Sequence, residues 1–141
     1  IRKSLNNEPL TIFGDGTQVR AFSDIKFYME PFESLMESHH GETFNIGADK
    51  YWTINDAAKT VQRVAAEFGN HVDLEYLEKR NEVHTAYCDH TKAKEYLNFK
   101  DATSLEDTVR EMYRWALQQP NREVEFFDYE IEKNIYSYWK K

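Results

Sequence analysis

The chain has 141 residues, 40% of them hydrophobic and 15% aromatic, enough apolar material for one packed domain and incompatible with a disordered chain. A net charge of −7 argues against nucleic acid or an anionic membrane as the main partner, while a few well-placed arginines could still hold an anionic small molecule. The lone Cys88 excludes an internal disulfide, no apolar stretch has bilayer-spanning length, and no secretory leader pattern stands at Ile1, so a soluble cytoplasmic protein is expected.

In chain order, IRKSLNNEP reads as the last turns of a helix ending at Asn6–Asn7, so the chain is expected to be the back part of something longer. LTIF (10–13) and QVRAFS (18–23) alternate as strands around Gly14-Asp15-Gly16 and are expected to pair as a hairpin. The glycines permit positive φ there, and Asp15 can bond the backbone that follows. A dinucleotide loop would need a third glycine opening a helix, and Val19 stands in its place. EPFESLMESHH is predicted as a short helix with Pro31 in its first turn, and ETFNIG (42–47) as an apolar strand.

The clearest helix is capped by Thr53, with Asp56 completing a capping box. Ile54, Ala57, Ala58, Val61, Val64, Ala65 and Phe68 form its apolar stripe, and Gly69 stops it. LEYL (74–77) and VHTAY (83–87) are expected as strands on either side of EKRNE. TKAKEYL forms another short helix, with Asn98 where a left-handed residue is needed. Ser104 and Asp107 form a second capping box, opening a helix with Leu105, Val109, Met112 and Ala116 on one face and its end before Pro120. The expected organisation is a domain over 1–120 and an aromatic, acidic tail over 121–141 that packs on the domain or on a partner subunit.

Several chemical motifs are weak. Tyr96-x-x-x-Lys100 and Tyr129-x-x-x-Lys133 have the spacing of a dehydrogenase tyrosine and its lysine. With nine Tyr and eleven Lys, about 0.7 such pairs arise by chance. Adjacent His39 and His40 diverge on a helix, and His84, Cys88, Asp89 and His90 lack a zinc-like spacing, so no metal is expected. Arg20, just after the glycine turn, and Arg80, in the KRNE turn, are better candidates, because a planar guanidinium suits phosphate oxygens. Taken alone, these residues describe an α+β domain able to bind an anion.

The order PLTIFGDGTQVRAFSDI, GETFNIG, YWTINDAAKTV, KRNEVHTAYCDHTKAKEYLNFK and TSLEDTVREMYRWA resembles the C-terminal part of NAD-dependent sugar-nucleotide epimerases and dehydratases, the extended short-chain dehydrogenases. The likeness runs over about residues 1–117. It implies an α/β fold, here an α+β fragment of short strands and helices forming the substrate domain, with the Rossmann half outside this chain. It also implies that Leu10, Thr11 and Phe13 flank a nucleotide base, that Arg20 and Arg80 reach a diphosphate from two sides, and that Glu82 contacts a ribose or positions an arginine. Asn45 is a weaker candidate for a structural or ligand bond.

The implied partners are a nucleoside diphosphate sugar, the Rossmann half and a second copy in a homodimer. The implied cofactor is NAD or NADP, bound mainly outside this chain. The family's Tyr-Val/Ile-x-Asp after the arginine is replaced by Asp24-Ile25-Lys26-Phe27, and its glycine fingerprint and catalytic Tyr/Lys pair lie upstream of the Gly-Asp-Gly stretch. The competing expectation is a non-catalytic binding or assembly module that keeps only the scaffold.

Overall fold

The computed structural model describes residues 1–38, 40–120 and 133. Helix α1 (Arg2–Leu5) is followed by strand β1 (Leu10–Phe13), the short strand β2 (Val19–Arg20), a 3-10 turn (Ile25–Tyr28) and α2 (Met29–Glu37). Next come β3 (Trp52–Thr53), α3 (Ile54–Glu67), β4 (Leu74–Leu77), β5 (Thr85–Ala86), α4 (Thr91–Tyr96) and α5 (Leu105–Ala116). This is the mixed helix-and-strand fold that the sequence implied.

Local signals set the helices. Thr53 accepts from the Asp56 amide while Asp56 accepts from the Thr53 amide, so both arms of the capping box fix the start of α3. Gly69 leaves the helix with φ +83° and Asn98 leaves α4 with φ +51°, the left-handed exits expected of those residue types. Ser104 accepts from the Asp107 amide, while the Asp107 carboxylate turns forward to Arg110 at 2.6 Å. Asp24, which departs from the family's pattern, accepts from the Lys26 amide at 3.0 Å and so opens the 3-10 turn.

The core forms where α3 meets α5. Val64 and Ala65 pack on Leu105, Val109 and Tyr113, and the Tyr113 ring stacks on Phe68 with centroids 4.9 Å apart. The expected face of α5 is corrected here: Met112 is 52% exposed and Tyr113 is fully buried. Leu105, Val109 and Tyr113 follow a strict four-residue spacing, which turns Met112 away from α3. A second cluster of Ala93, Leu97 and Phe99 is covered by Tyr28, Leu35, Phe44 and Ile46.

Strand partnership departs from the sequence expectation. The hairpin across Gly14–Gly16 does not form. Instead β1 runs parallel to β4, with Leu10 opposite Leu74 and Phe13 opposite Leu77. Strand β2 lies between β3, antiparallel to it, and β5, parallel to it. Gly14 and Gly16, both near φ +75°, turn the chain off the first sheet, and the Gln18 side chain takes the Phe13 carbonyl at 2.6 Å. Residues 74–77 and 83–87 likewise belong to different sheets, and only Thr85–Ala86 of the second run pairs. Glu42–Gly47 is no strand among the described residues; Phe44 and Ile46 pack on the Ala93–Leu97–Phe99 cluster instead. The tail over 121–141, apart from Lys133, lies outside the described residues, and so do Tyr129 and His39.

Candidate functional site

The Gly-Asp-Gly turn is anchored from two elements. Asn55, in the first turn of α3, donates from Nδ2 to the Asp15 carbonyl at 2.9 Å and from its backbone amide to the Gly16 carbonyl at 3.0 Å. Tyr76 of β4 donates to Asn55 Oδ1 at 2.9 Å, which fixes the amide's orientation. Within the turn, Asp15 accepts from both the amide and the hydroxyl of Thr17, and the hydroxyl bond holds its carboxyl below the usual carboxylate range. The residues on either side of the turn, Phe13 and Gln18, are therefore held in fixed relation.

Beside this turn is a cleft of ≈ 420 Å³. Thr11, Ile12 and Phe13 of β1 form one wall, Gln18 and Ile54 another, and Arg80 and Glu82 close it from the loop after β4. The Arg80 guanidinium carbon sits 3.1 Å from the centre of the Phe13 ring, a cation–π contact. Gln18 is 5% exposed and donates to both the Phe13 carbonyl and Glu82 Oε1, the latter at 3.1 Å. The other Glu82 oxygen accepts from Arg20 Nη2 at 2.9 Å. Arg20 Nη1 is tied to the carbonyls of Val19 and His84, at 2.8 and 3.2 Å.

Of the six residues singled out in the sequence, Thr11, Phe13, Arg80 and Glu82 line this cleft. Leu10 lies at the outer end of β1, opposite Leu74, and Arg20 stands behind Glu82 as its ionic partner. Arg20 and Arg80 thus reach the site by different routes, one through Glu82 and one through Phe13. Sequence reasoning missed Gln18, Asn55 and Tyr76. Gln18 had a signal: it stands two residues before Arg20 in an alternating run, and both side chains meet the same carboxylate.

The weaker motifs find structural employment. Tyr96 ends α4 and meets Phe44 edge-on at 6.5 Å. His84 shares a bond with the Thr17 hydroxyl at 3.2 Å, and His90 bonds Asp49 at 2.6 Å. The Lys94 bond, then that from His90, keeps the Asp49 carboxyl below its ordinary range. Cys88 is a free, half-buried thiol against Gly47, where a Cβ would come within 2.6 Å of its sulfur. Among the described residues no three His, Cys, Asp or Glu side chains gather as a metal site.

The Gly14–Gly16 turn does not have the form of a dinucleotide cradle. The glycines of the turn join two strands rather than opening a helix, and the first turns of α3 and α5 are closed by their own Thr53 and Ser104 caps. No cofactor contact is assigned to them.

Residues 1–112 match the family described as GDP-mannose 4,6 dehydratase. The chain belongs to the NAD-dependent sugar-nucleotide epimerase/dehydratase family. It is 34% identical over 106 residues to UDP-glucuronic acid decarboxylase 2 of Arabidopsis thaliana, covering 74% of this chain and 23% of that protein. It is 32% identical over 110 residues to an uncharacterised UDP-glucose epimerase of Bacillus subtilis, covering 76% of this chain and 34% of that one.

Among solved structures, UDP-glucuronic acid 4-epimerase of Bacillus cereus, in complex with UDP-glucuronic acid and NAD, superposes with a TM-score of 0.72 at 28% identity. That match covers 83% of this chain and 38% of the epimerase. UDP-glucose 4-epimerase of Thermotoga maritima, solved with UDP-glucose, gives 0.71 at 30% identity over the same 83% and 38%. The chain therefore spans about a quarter to two fifths of these family members.

Proposed function

We propose that this chain supplies the sugar-nucleotide-binding part of an NAD(P)-dependent epimerase, decarboxylase or dehydratase, with a UDP-sugar as substrate. One observation carries the reading: Thr11, Phe13, Arg80 and Glu82, distant in sequence, line one cleft beside the Gly-Asp-Gly turn. The family's sugar-nucleotide chemistry supports it, as do the UDP-sugars named in the complexes of the Bacillus cereus and Thermotoga maritima enzymes.

In this reading the apolar wall of β1 takes the nucleoside, and the positive charge of Arg80 and Arg20 takes the diphosphate. Arg20 exchanges one anionic partner, the Glu82 carboxylate, for phosphate oxygens. Gln18 keeps hold of Glu82 as this happens. In this reading the redox step belongs to a Rossmann half outside the described residues, and the chain's own task is to bind and orient.

The test is UDP-glucuronic acid affinity, measured by calorimetry beside a melting curve for each full-length variant. A charge-assisted contact to phosphate is worth about 1.5–3 kcal/mol, so Arg20→Ala and Arg80→Ala should each weaken binding about ten- to a hundredfold in a protein whose melting curve shows it still folded. Unchanged affinity in Arg20→Ala would remove that residue from the ligand.

A further inference from the structure

From the way Arg20, Glu82 and Gln18 are tied together, we infer that Glu82 is a specificity-determining residue. It screens the place of the diphosphate against bare anions and admits anions that also carry hydroxyl groups. The inference rests on the nucleotide-sugar reading of the cleft. It adds a selective role to the ribose or arginine contact that the resemblance implied for Glu82.

Both partners of the ion pair are held in place. Arg20 Nη1 donates to the Val19 and His84 carbonyls at 2.8 and 3.2 Å, and Nη2 donates to Glu82 Oε2 at 2.9 Å. Gln18 Nε2 donates to Glu82 Oε1 at 3.1 Å and to the Phe13 carbonyl at 2.6 Å. Gln18 is 5% exposed, and turning its amide over would set its oxygen against both of those acceptors. Glu82 is therefore clamped at the cleft wall, with Arg20 behind it.

An anion drawn to Arg20 must settle beside a carboxylate that Gln18 holds where it is. Like charges so placed repel each other. As phosphate oxygens take over Arg20, Glu82 Oε2 also gives up its donor, and a side chain only 36% exposed is screened by water in part. A ribose or sugar hydroxyl beside the diphosphate can donate to that oxygen. Inorganic pyrophosphate carries no alcohol hydroxyl and leaves the carboxylate without compensation. The same residue thus penalises the wrong ligand and rewards the right one.

The test is calorimetry of the full-length protein and its Glu82→Gln variant, with inorganic pyrophosphate and with UDP at one ionic strength. Glutamine keeps the side chain's size and an oxygen for Gln18 but removes the charge. Pyrophosphate affinity should rise about tenfold in Glu82→Gln, while UDP affinity stays within about threefold. The preference for UDP over pyrophosphate should shrink accordingly. Pyrophosphate binding that is unchanged or weaker in a folded Glu82→Gln protein overturns the filter. An equal rise for both ligands also overturns it, since Glu82 would then repel every anion alike. If Glu82→Gln unfolds in a melting control, Glu82→Ala takes the same titrations, with the same rise expected for pyrophosphate. Absence of UDP binding by the unmodified protein would instead fail the nucleotide-sugar reading itself, and the filter with it.

Discussion

Gly16→Ala tests whether the glycine turn is held by close approach to α3 or simply by its backbone angles. Gly14 and Gly16 have nearly the same φ, +76° and +75°, so an alanine at either meets the same left-handed strain, about 1–2 kcal/mol. Part of it, about 0.4–1 kcal/mol, is offset by the loss of backbone freedom in the unfolded chain. Their surroundings differ. A Cβ on Gly14 would lie 3.4 Å from the Gln18 amide nitrogen and 3.5–3.6 Å from the Lys79 side chain, which are ordinary contacts. A Cβ on Gly16 would overlap Asn55 Oδ1 and come within 2.5 Å of its Cγ.

Asn55 would have to leave. Its bonds to the Asp15 carbonyl and to the Tyr76 hydroxyl, both 2.9 Å, would be lost, at about 1 kcal/mol each. Gly16→Ala should therefore cost about 3 kcal/mol and Gly14→Ala about 1 kcal/mol. Urea titrations of both variants, with Asn55→Ala and the Gly16→Ala/Asn55→Ala pair, measure the difference. The double variant should lose clearly less than the sum of the singles, because the clash and the lost bonds are the same event. Equal losses at the two glycines, or strict additivity with Asn55, would refute the close-approach argument.

Tyr113 is fully buried and, among the described residues, its hydroxyl has no hydrogen-bond partner, so Tyr113→Phe should leave stability unchanged or raise it by up to about 2 kcal/mol in thermal melts. Burial raises the Asp24 carboxyl, but bonds from the Lys26 amide and ammonium and from the Thr108 hydroxyl outweigh it and leave it below the ordinary range. A lowered folded pKa means that its stabilisation is complete above about pH 4 and is lost as pH falls through the folded value. Asp24→Asn should thus flatten the acid limb of a pH–melting profile while lowering stability at neutral pH. Calorimetry of this chain with millimolar NAD should give no saturable heat, since the glycine turn joins two strands instead of opening a helix; a low-micromolar dissociation constant would contradict that.

Sequence alone determined the elements whose causes are local. Thr53 and Asp56 cap α3 because they are three residues apart, and the apolar stripe from Ile54 to Phe68 repeats with the helical period. Asn98 takes its left-handed exit because its own side chain tolerates it. The candidate residues, too, could be chosen by chemical type. Partnership was decided only in three dimensions. A two-residue alternation marks a strand but carries no information about its neighbour, so LTIF and QVRAFS looked like a hairpin while β1 paired with β4, more than sixty residues away.

The same limit governs the site. Phe13 and Arg80 are far apart in the chain, and only the parallel pairing of β1 with β4 delivers the loop after β4 to the end of β1. Arg20 shows the opposite case. Its charge was legible, but its commitment to Glu82 depended on β2 lying beside β5, which carries the neighbouring loop into reach. Local bonds act within a few residues and are written in the sequence next to them. Contacts between distant segments depend on which surfaces bury each other, and that is a property of the whole packed chain.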